Sequence, residues 1–422
     1  MTKKMKDSGI EWIGEIPEDW EVIKIKHLFN VSRGRVISKL DLDIDGKYPV
    51  FSSQTENNGI FGYLDTYDYT GEALTWTTDG EKAGTVFYRN GKYNCTNICG
   101  ILQKKETSIF NTDIKFLYYA IRMVAEENKR PDTNGHKIMS NEMEKLSIPI
   151  ANYETQKKIG IELDNLILKI NDTSKIISQQ IELLENYKKS VITEAVTKGL
   201  DKNVEMKDSG IEWIGEIPKH WDVIPLKYLI SYNQKTLTET TRKDYEFEYI
   251  DIGSVEYGKG ILPLEVMTFE KAPSRARRIV RTGDIIISTV RTYLKAIAIV
   301  PESDRPLIAS TGFMVISSGG ILEQDFLNYS VQSEYFVSEI SSRSKGVNYP
   351  AINSSDLINI KILVPKKIER QEITDYLDKK TKLIDDSITL KQKQLETLEE
   401  YKKSLIYEYV TGKKEVTDGE GI

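Results

Sequence analysis

The chain has 422 residues, 39% of them apolar, enough for two to four domains with packed cores. It carries 58 basic and 64 acidic residues, a net charge of −6, which argues against a simple, uniformly basic nucleic-acid binder while leaving room for a local basic face. There is no apolar run of 18 residues and no apolar leader, so a cytoplasmic location is expected; two cysteines and three scattered histidines argue against a disulfide framework or a four-ligand metal site.

In chain order, the first element is an opening segment, MKDSGIEWIGEIP at 5–17, which recurs unchanged at 206–218. A second match closes each half: ENYKKS at 185–190 answers EEYKKS at 399–404. The chain is therefore two tandem copies of one unit. Trp12 and Trp20, with Trp213 and Trp221 in the second copy, are expected to pack and to position the domain that follows.

Each opening segment leads into a body of mixed α and β character, and the two bodies look unrelated. In the first, 84–88 reads as a strand followed by the Asn90-Gly91 turn signal, and 114–127 as an amphipathic helix. In the second, 284–290 and 296–300 read as buried strands and 324–341 as an amphipathic helix. Each half closes in a long helix. Leu163, Ile170, Ile177, Leu184 and Val191 recur every seven residues in the first; Leu377, Ile384, Leu398 and Leu405 keep the same beat in the second, with Lys391 breaking it once. That period predicts a coiled coil, each helix being the other's obvious partner. The residues after 412 read as a disordered tail.

Two similar halves in one chain are expected to pack about a pseudo-twofold axis, with the long helices antiparallel. B-DNA has local twofold symmetry, so such a protein can present two reading heads to one duplex; because the bodies differ, a bipartite and asymmetric target follows.

Two segments sharpen this expectation. IPIANYETQ at 148–156 leads into the first long helix and LVPKKIERQ at 363–371 into the second, each a strand, a proline and a Glu-x-Gln helix start. The first body also holds YPVFSSQTENNG at 48–59 and WTTDG at 76–80. With this doubled arrangement the chain resembles the specificity subunits of type I restriction-modification systems. The resemblance implies an α+β fold: two target recognition domains separated by two long helices in an antiparallel coiled coil, a pseudo-twofold internal repeat. The boundaries expected are 1–151, 152–199, 200–366, 367–412 and a tail at 413–422. It also implies a chain with no catalysis of its own, which reads double-stranded DNA and holds two methyltransferase subunits, with motor-nuclease subunits added. S-adenosylmethionine, ATP and Mg would belong to those partners.

The residues agree with a non-catalytic reading: Asn-Pro-Pro-Tyr, His-Glu-x-x-His and a glycine fingerprint for S-adenosylmethionine are lacking. GSVEYGKG at 253–260 is a near miss for a phosphate loop, with Gly260 where Ser or Thr would bind magnesium. For DNA contact, residues 271–295 hold Lys271, Arg275, Arg277, Arg278, Arg281, Arg291 and Lys295 against Asp284 alone. Arginine suits guanine edges and phosphates, asparagine suits adenine edges. Arg275, Arg277, Arg278, Arg291, Tyr293, Lys345, Asn348 and Tyr349 are the candidates in the second body; Arg33, Arg35, Asn57, Asn58, Thr77, Lys82, Arg89, Lys92, Asn134, His136 and Lys137 are those in the first. The loops 134–137 and 345–348 read as equivalents, each lying shortly before the proline that leads into a long helix. Methyltransferase docking is expected on what repeats, the opening segments and the Tyr-Lys-Lys-Ser helix ends. A protein-binding coiled-coil scaffold explains the helices but not two different bodies in one frame, and a nuclease lacks its constellation.

Overall fold

Both copies of the opening segment fold into the same antiparallel ribbon. Met5–Asp7 pairs with Glu15–Pro17, and Met206–Asp208 with Glu216–Pro218, in identical register. The turns close alike, because Gly14 and Gly215 occupy positive φ and donate to Ile10 O and Ile211 O at 3.0 and 3.1 Å. The structure, a computed structural model, describes residues 4–133 and 135–416. It divides into two units, Met1–Ile177 with Lys393–Ile422, and Ser178–Gln392.

The first unit's body contains two four-stranded sheets. One runs Val86–Arg89, Ala73–Thr77, Cys99–Lys104, Phe29–Arg33; the other runs Ile60–Leu64, Tyr48–Phe51, Lys92–Cys95, Tyr69–Thr70. The Asn90-Gly91 turn does not make a hairpin. It carries the chain from the first sheet to the second, with Gly91 at φ +100°. Cys95 and Cys99 are free thiols buried where the second sheet hands back to the first.

The second unit repeats this plan from unrelated residues. Ile297–Ile299, Ile285–Ser288, Phe313–Ser318 and Ile230–Tyr232 form one sheet, and Val266–Thr268, Glu246–Ile250, Leu307–Ser310 and Ala276–Val280 the other. In both units one parallel pairing sits among antiparallel ones, Tyr48–Phe51 with Lys92–Cys95 and Glu246–Ile250 with Leu307–Ser310. The GSVEYGKG segment forms a 3-10 turn and a small ribbon, Val255–Glu256 against Gly260–Ile261.

A helix closes each body. Ile114–Asn128 is capped by Asp113, whose carboxylate accepts from the Lys115 and Phe116 amides at 3.0 and 2.9 Å. Over 324–341 one continuous helix is expected; two are found, Gln324–Gln332 and Glu334–Arg343. Ser333 breaks them at ψ 150°, with its hydroxyl donating to Ser330 O at 2.5 Å in a fully buried site. A serine hydroxyl that bonds back to the main chain competes with helix continuation.

The long helices are Tyr153–Lys198 and Lys367–Val410, 46 and 44 residues. Each is shared between the units, and within each unit the two segments run antiparallel. In the first unit Lys402 Nζ reaches Asn171 Oδ1 at 2.9 Å, with Leu163, Ile167 and Ile170 packing in one core with Leu405 and Tyr409. In the second, Lys188 meets Asp385 at 2.7 Å, and Lys391, the break in the heptad, donates to Gln180 Oε1 at 2.6 Å. Seven of the nine seam residues are buried, with Leu184 and Leu398 half-buried. Among the described residues no helix is long and apolar enough to cross a membrane.

At the closing end of each long helix, the glycine after it takes positive φ and lies against a tryptophan, Gly199 on Trp221 and Gly412 on Trp20. A lysine beside each reaches the opening ribbon: Lys198 Nζ to Ile214 O at 3.2 Å, Lys413 Nζ to Ile13 O at 2.7 Å. Residues 413–416 thus lie in contact with the first unit's fold, Val416 packing on its core; 417–422 lie outside the described residues.

Candidate functional site

Each body is fixed to a long helix by two bonds that recur in both units. Gln156, fully buried, accepts the Asp113 amide at 3.0 Å, gripping the cap of the body's helix. Its counterpart is Arg370, which holds Glu323, the residue before the equivalent helix, at 2.7 Å. The Glu-x-Gln motif therefore aligns one residue out: Gln371 is exposed, and its side chain bonds Asp375 within the same helix. Second, Tyr119 donates to Asp164 at 2.8 Å and Tyr329 to Asp378 at 2.7 Å. Burial, then the neighbouring carboxylate, pushes the Tyr119 hydroxyl upward, so it stays a donor. Neither tyrosine stands out in the sequence, because a Tyr–Asp pair across elements has no local spacing.

One rim of each body gathers the candidate side chains. In the first unit a ring of bonds defines it. Thr96 bonds the Phe51 carbonyl through its amide and Ser52 Oγ through its hydroxyl, at 2.9 and 3.0 Å. Thr78 donates to Ile98 O, Ile138 donates to Thr78 O, Arg33 Nε reaches Ser140 Oγ at 3.4 Å, and Arg35 bridges back to Thr96. Arg33, Arg35, Asn57, Asn58 and Lys82 are exposed on this rim, Arg35 pairing with Asp68 at 2.9 Å. His136 and Lys137 lie half-buried on the ribbon Gly135–Lys137, which pairs with Asp79–Gly80; Lys137 is tied to Asp132 at 3.2 Å. Asn134 lies outside the described residues.

Three first-body candidates are placed differently. Thr77 is 1% exposed, with its hydroxyl bonded to the Lys82 carbonyl, and Arg89 is 3% exposed. Both sit inside the rim and cannot touch an outside ligand in this conformation. Lys92 lies at the far end of its strand, 4.4 Å over the Tyr67 ring. Strand periodicity misleads for Thr77: Leu74 and Trp76 alternate with Thr75 and Thr77, yet all five residues of Ala73–Thr77 are buried; nothing local marks Arg89.

In the second unit two candidate loops meet. Thr292 amide and hydroxyl bond Pro350 O and Ser344 Oγ at 3.3 and 2.8 Å, and Val290 bridges to Ala351. Arg291 and Lys295 both take positive φ around the short turn Thr292–Leu294, and Arg291 sits 5.3 Å over the Tyr349 ring. Tyr293 is 56% and Tyr349 67% exposed, beside exposed Lys345 and Asn348. Arg275 joins them through the Thr311 amide on its carbonyl, Gly312 then contacting Thr289. Arg277 and Arg278 do not join: Arg277 stacks 4.7 Å over Phe269 and pairs with Glu239, and Arg278 Nε is buried without a partner among the described residues. The seven-cation stretch is thus divided, with a β-bulge between Ala276 and Arg278, rather than presented as one patch. Residues 135–137 and 345–348 occupy equivalent places, since Ile138 bonds Thr78 O and Ile352 bonds Thr289 O, both at 2.9 Å.

The rims offer arginines, asparagines and exposed tyrosines, a set suited to nucleic-acid edges and phosphates. No group of three or more metal-ligating side chains occurs among the described residues. Comparison with known proteins agrees with the doubled plan. The family profile "Type I restriction modification DNA specificity domain" matches twice, over 17–183 and 218–400. The chain belongs to this family. It is 28% identical to a Methanocaldococcus jannaschii protein, the type I restriction enzyme MjaVIII specificity subunit, over 94% of this chain and 93% of the relative. It is 42% identical to a Mycoplasma pneumoniae protein named a putative type I specificity subunit N-terminus, over 33% of this chain and 74% of the relative. A solved structure from work on complex assembly and conformational transition of the type I restriction-modification system aligns with a TM-score of 0.67 at 14% identity, over 94% of this chain and 99% of that chain, a likeness of fold. As a member of the specificity family, the chain has its family match end at 183 and restart at 218, so all of the second opening segment but Pro218 lies in the gap between the two matched stretches.

Proposed function

We propose that this specificity chain reads a split, asymmetric DNA site, the rim of each unit reading one half, and recruits adenine-N6 methyltransferase subunits and motor-nuclease subunits to it. One observation carries the reading: the two bodies share topology and their attachments to the long helices, yet present different side chains at the same rim. A frame kept constant with its reading edge varied is what recognition of two different half-sites requires. The chain is non-catalytic in this reading, and S-adenosylmethionine, ATP and Mg belong to its partners. Docking of two copies of one methyltransferase needs two like surfaces. The repeated segments are the candidates: in the first unit Trp12 of the opening ribbon and Lys402, Lys403 and Ser404 of the helix end line one 750 Å³ cavity, together with body residues that include Lys82 and His136. Methylome sequencing of a host with and without this chain tests the proposal. Loss of N6-methyladenine at one split motif is expected when the chain is removed; an unchanged methylome refutes it.

A further inference from the structure

We infer that Arg89, from beneath the loop 54–59, is the positioning residue that sets base discrimination in the half-site read by the first unit, by holding Asn57 and Asn58 in a left-handed pair at the rim. The inference rests on the reading that this rim meets DNA.

The geometry around Arg89 is not that of a structural ion pair. Its guanidinium is buried with no carboxylate partner among the described residues. It lies 3.5 Å over the Phe51 ring and 4.5 Å from Phe87, sandwiched on apolar faces. Nε donates to Thr75 Oγ1 at 3.0 Å, Nη1 donates to the Asn58 carbonyl at 2.9 Å, and Nη2 is buried without a partner. A cation placed there is costly, and an apolar side chain of like volume would fill the space more favourably. What it supplies is a bond to the main chain of a loop in an unfavourable conformation.

That loop holds three successive residues at positive φ: Asn57 at 48°, Asn58 at 53° and Gly59 at 76°. Asparagine is the side chain that tolerates this region best, though each still costs energy. Gly59 avoids strain here, since a Cβ at this positive φ would also lie 3.0 Å from Arg89 Nη2. The Ser52 amide closes the loop onto Gly59 O at 3.0 Å, and Gln54 bonds Ile60 O. Arg89 is the remaining anchor, below, while both asparagine side chains are exposed on top. An asparagine amide presents an N–H donor and a carbonyl acceptor side by side, the pattern that pairs with an adenine edge when the side chain is held in place.

The test uses the full chain expressed with its methyltransferase partner, read by methylome sequencing. Three variants are compared with wild type: Arg89→Met, Arg89→Lys, and the double substitution Asn57→Gly with Asn58→Gly. The double glycine variant suits positive φ and keeps the Asn58 carbonyl bond, so it folds but lacks the amides. Arg89→Met and the double variant should each raise methylation at sites altered in one half of the motif by about tenfold, with the other half still read correctly; Arg89→Lys should restore part of the discrimination. A uniform fall in methylation with Arg89→Met and unchanged base preference in the double variant would overturn the inference while leaving the proposed function standing. Absence of any split motif with wild type would remove both.

Discussion

At the scale of single residues, the paired anchors matter more than the rims for stability. Replacing Tyr119 or Tyr329 by Phe removes a bond to a carboxylate, and each change should cost about 1 kcal/mol, seen as a lowered Tm by calorimetry. The Arg370–Glu323 pair adds a pH dependence that its counterpart Gln156 lacks. Bonding from Arg370 holds the Glu323 carboxyl below its usual 4.5. A depressed folded value contributes stability above the unfolded value and loses it as pH falls through the folded one. Glu323→Gln should therefore lower Tm at neutral pH, and the gap to wild type should close as pH falls below 4.5 and through the depressed folded value; a gap that persists in strong acid counts against the ion pair. Candidate residues were legible as a polar set but not one by one. Residue type does not distinguish Asn57, exposed at the rim, from Arg89 beneath it, because the difference is set by a loop folding over the end of a strand distant in sequence.

At the scale of elements, the seven-residue beat at 163–191 and 377–405 lies wholly inside the two long helices and is what made them legible, though not their ends. Periodicity survives because burial along a helix repeats with the chain itself. Lys391 shows what the beat conceals: the break is met by Gln180 on the other helix. Replacing both by Leu should leave stability unchanged or raise it by about 1 kcal/mol, measurable as Cm in urea. Aspartate at Leu184 or at Leu398 should instead lower stability by roughly 2 kcal/mol and abolish co-purification with the methyltransferase; intact assembly would exclude the helices from docking. The helix break at Ser333 was not legible, since it arises from a hydroxyl bonding to the main chain in a buried site.

At the scale of the whole molecule, the bodies prove more alike than their sequences. The same eight-strand plan appears in both, and the same Tyr–Asp and cap-gripping contacts hold each to a helix. Exchanging 219–360 for the corresponding body of another family member should therefore change one half of the methylated motif and leave the other half as it was; a change in both halves would show that the units do not read separately. The sequence by itself determined the duplication, the long helices and the family, because repeats and heptads are written in local spacing. Only the tertiary structure decided that two dissimilar bodies share one topology, that the basic stretch is split, and which side chains reach the rim. Those outcomes depend on pairing between residues far apart in the chain, where many sequences satisfy the same sheet and no local pattern records which face turns outward.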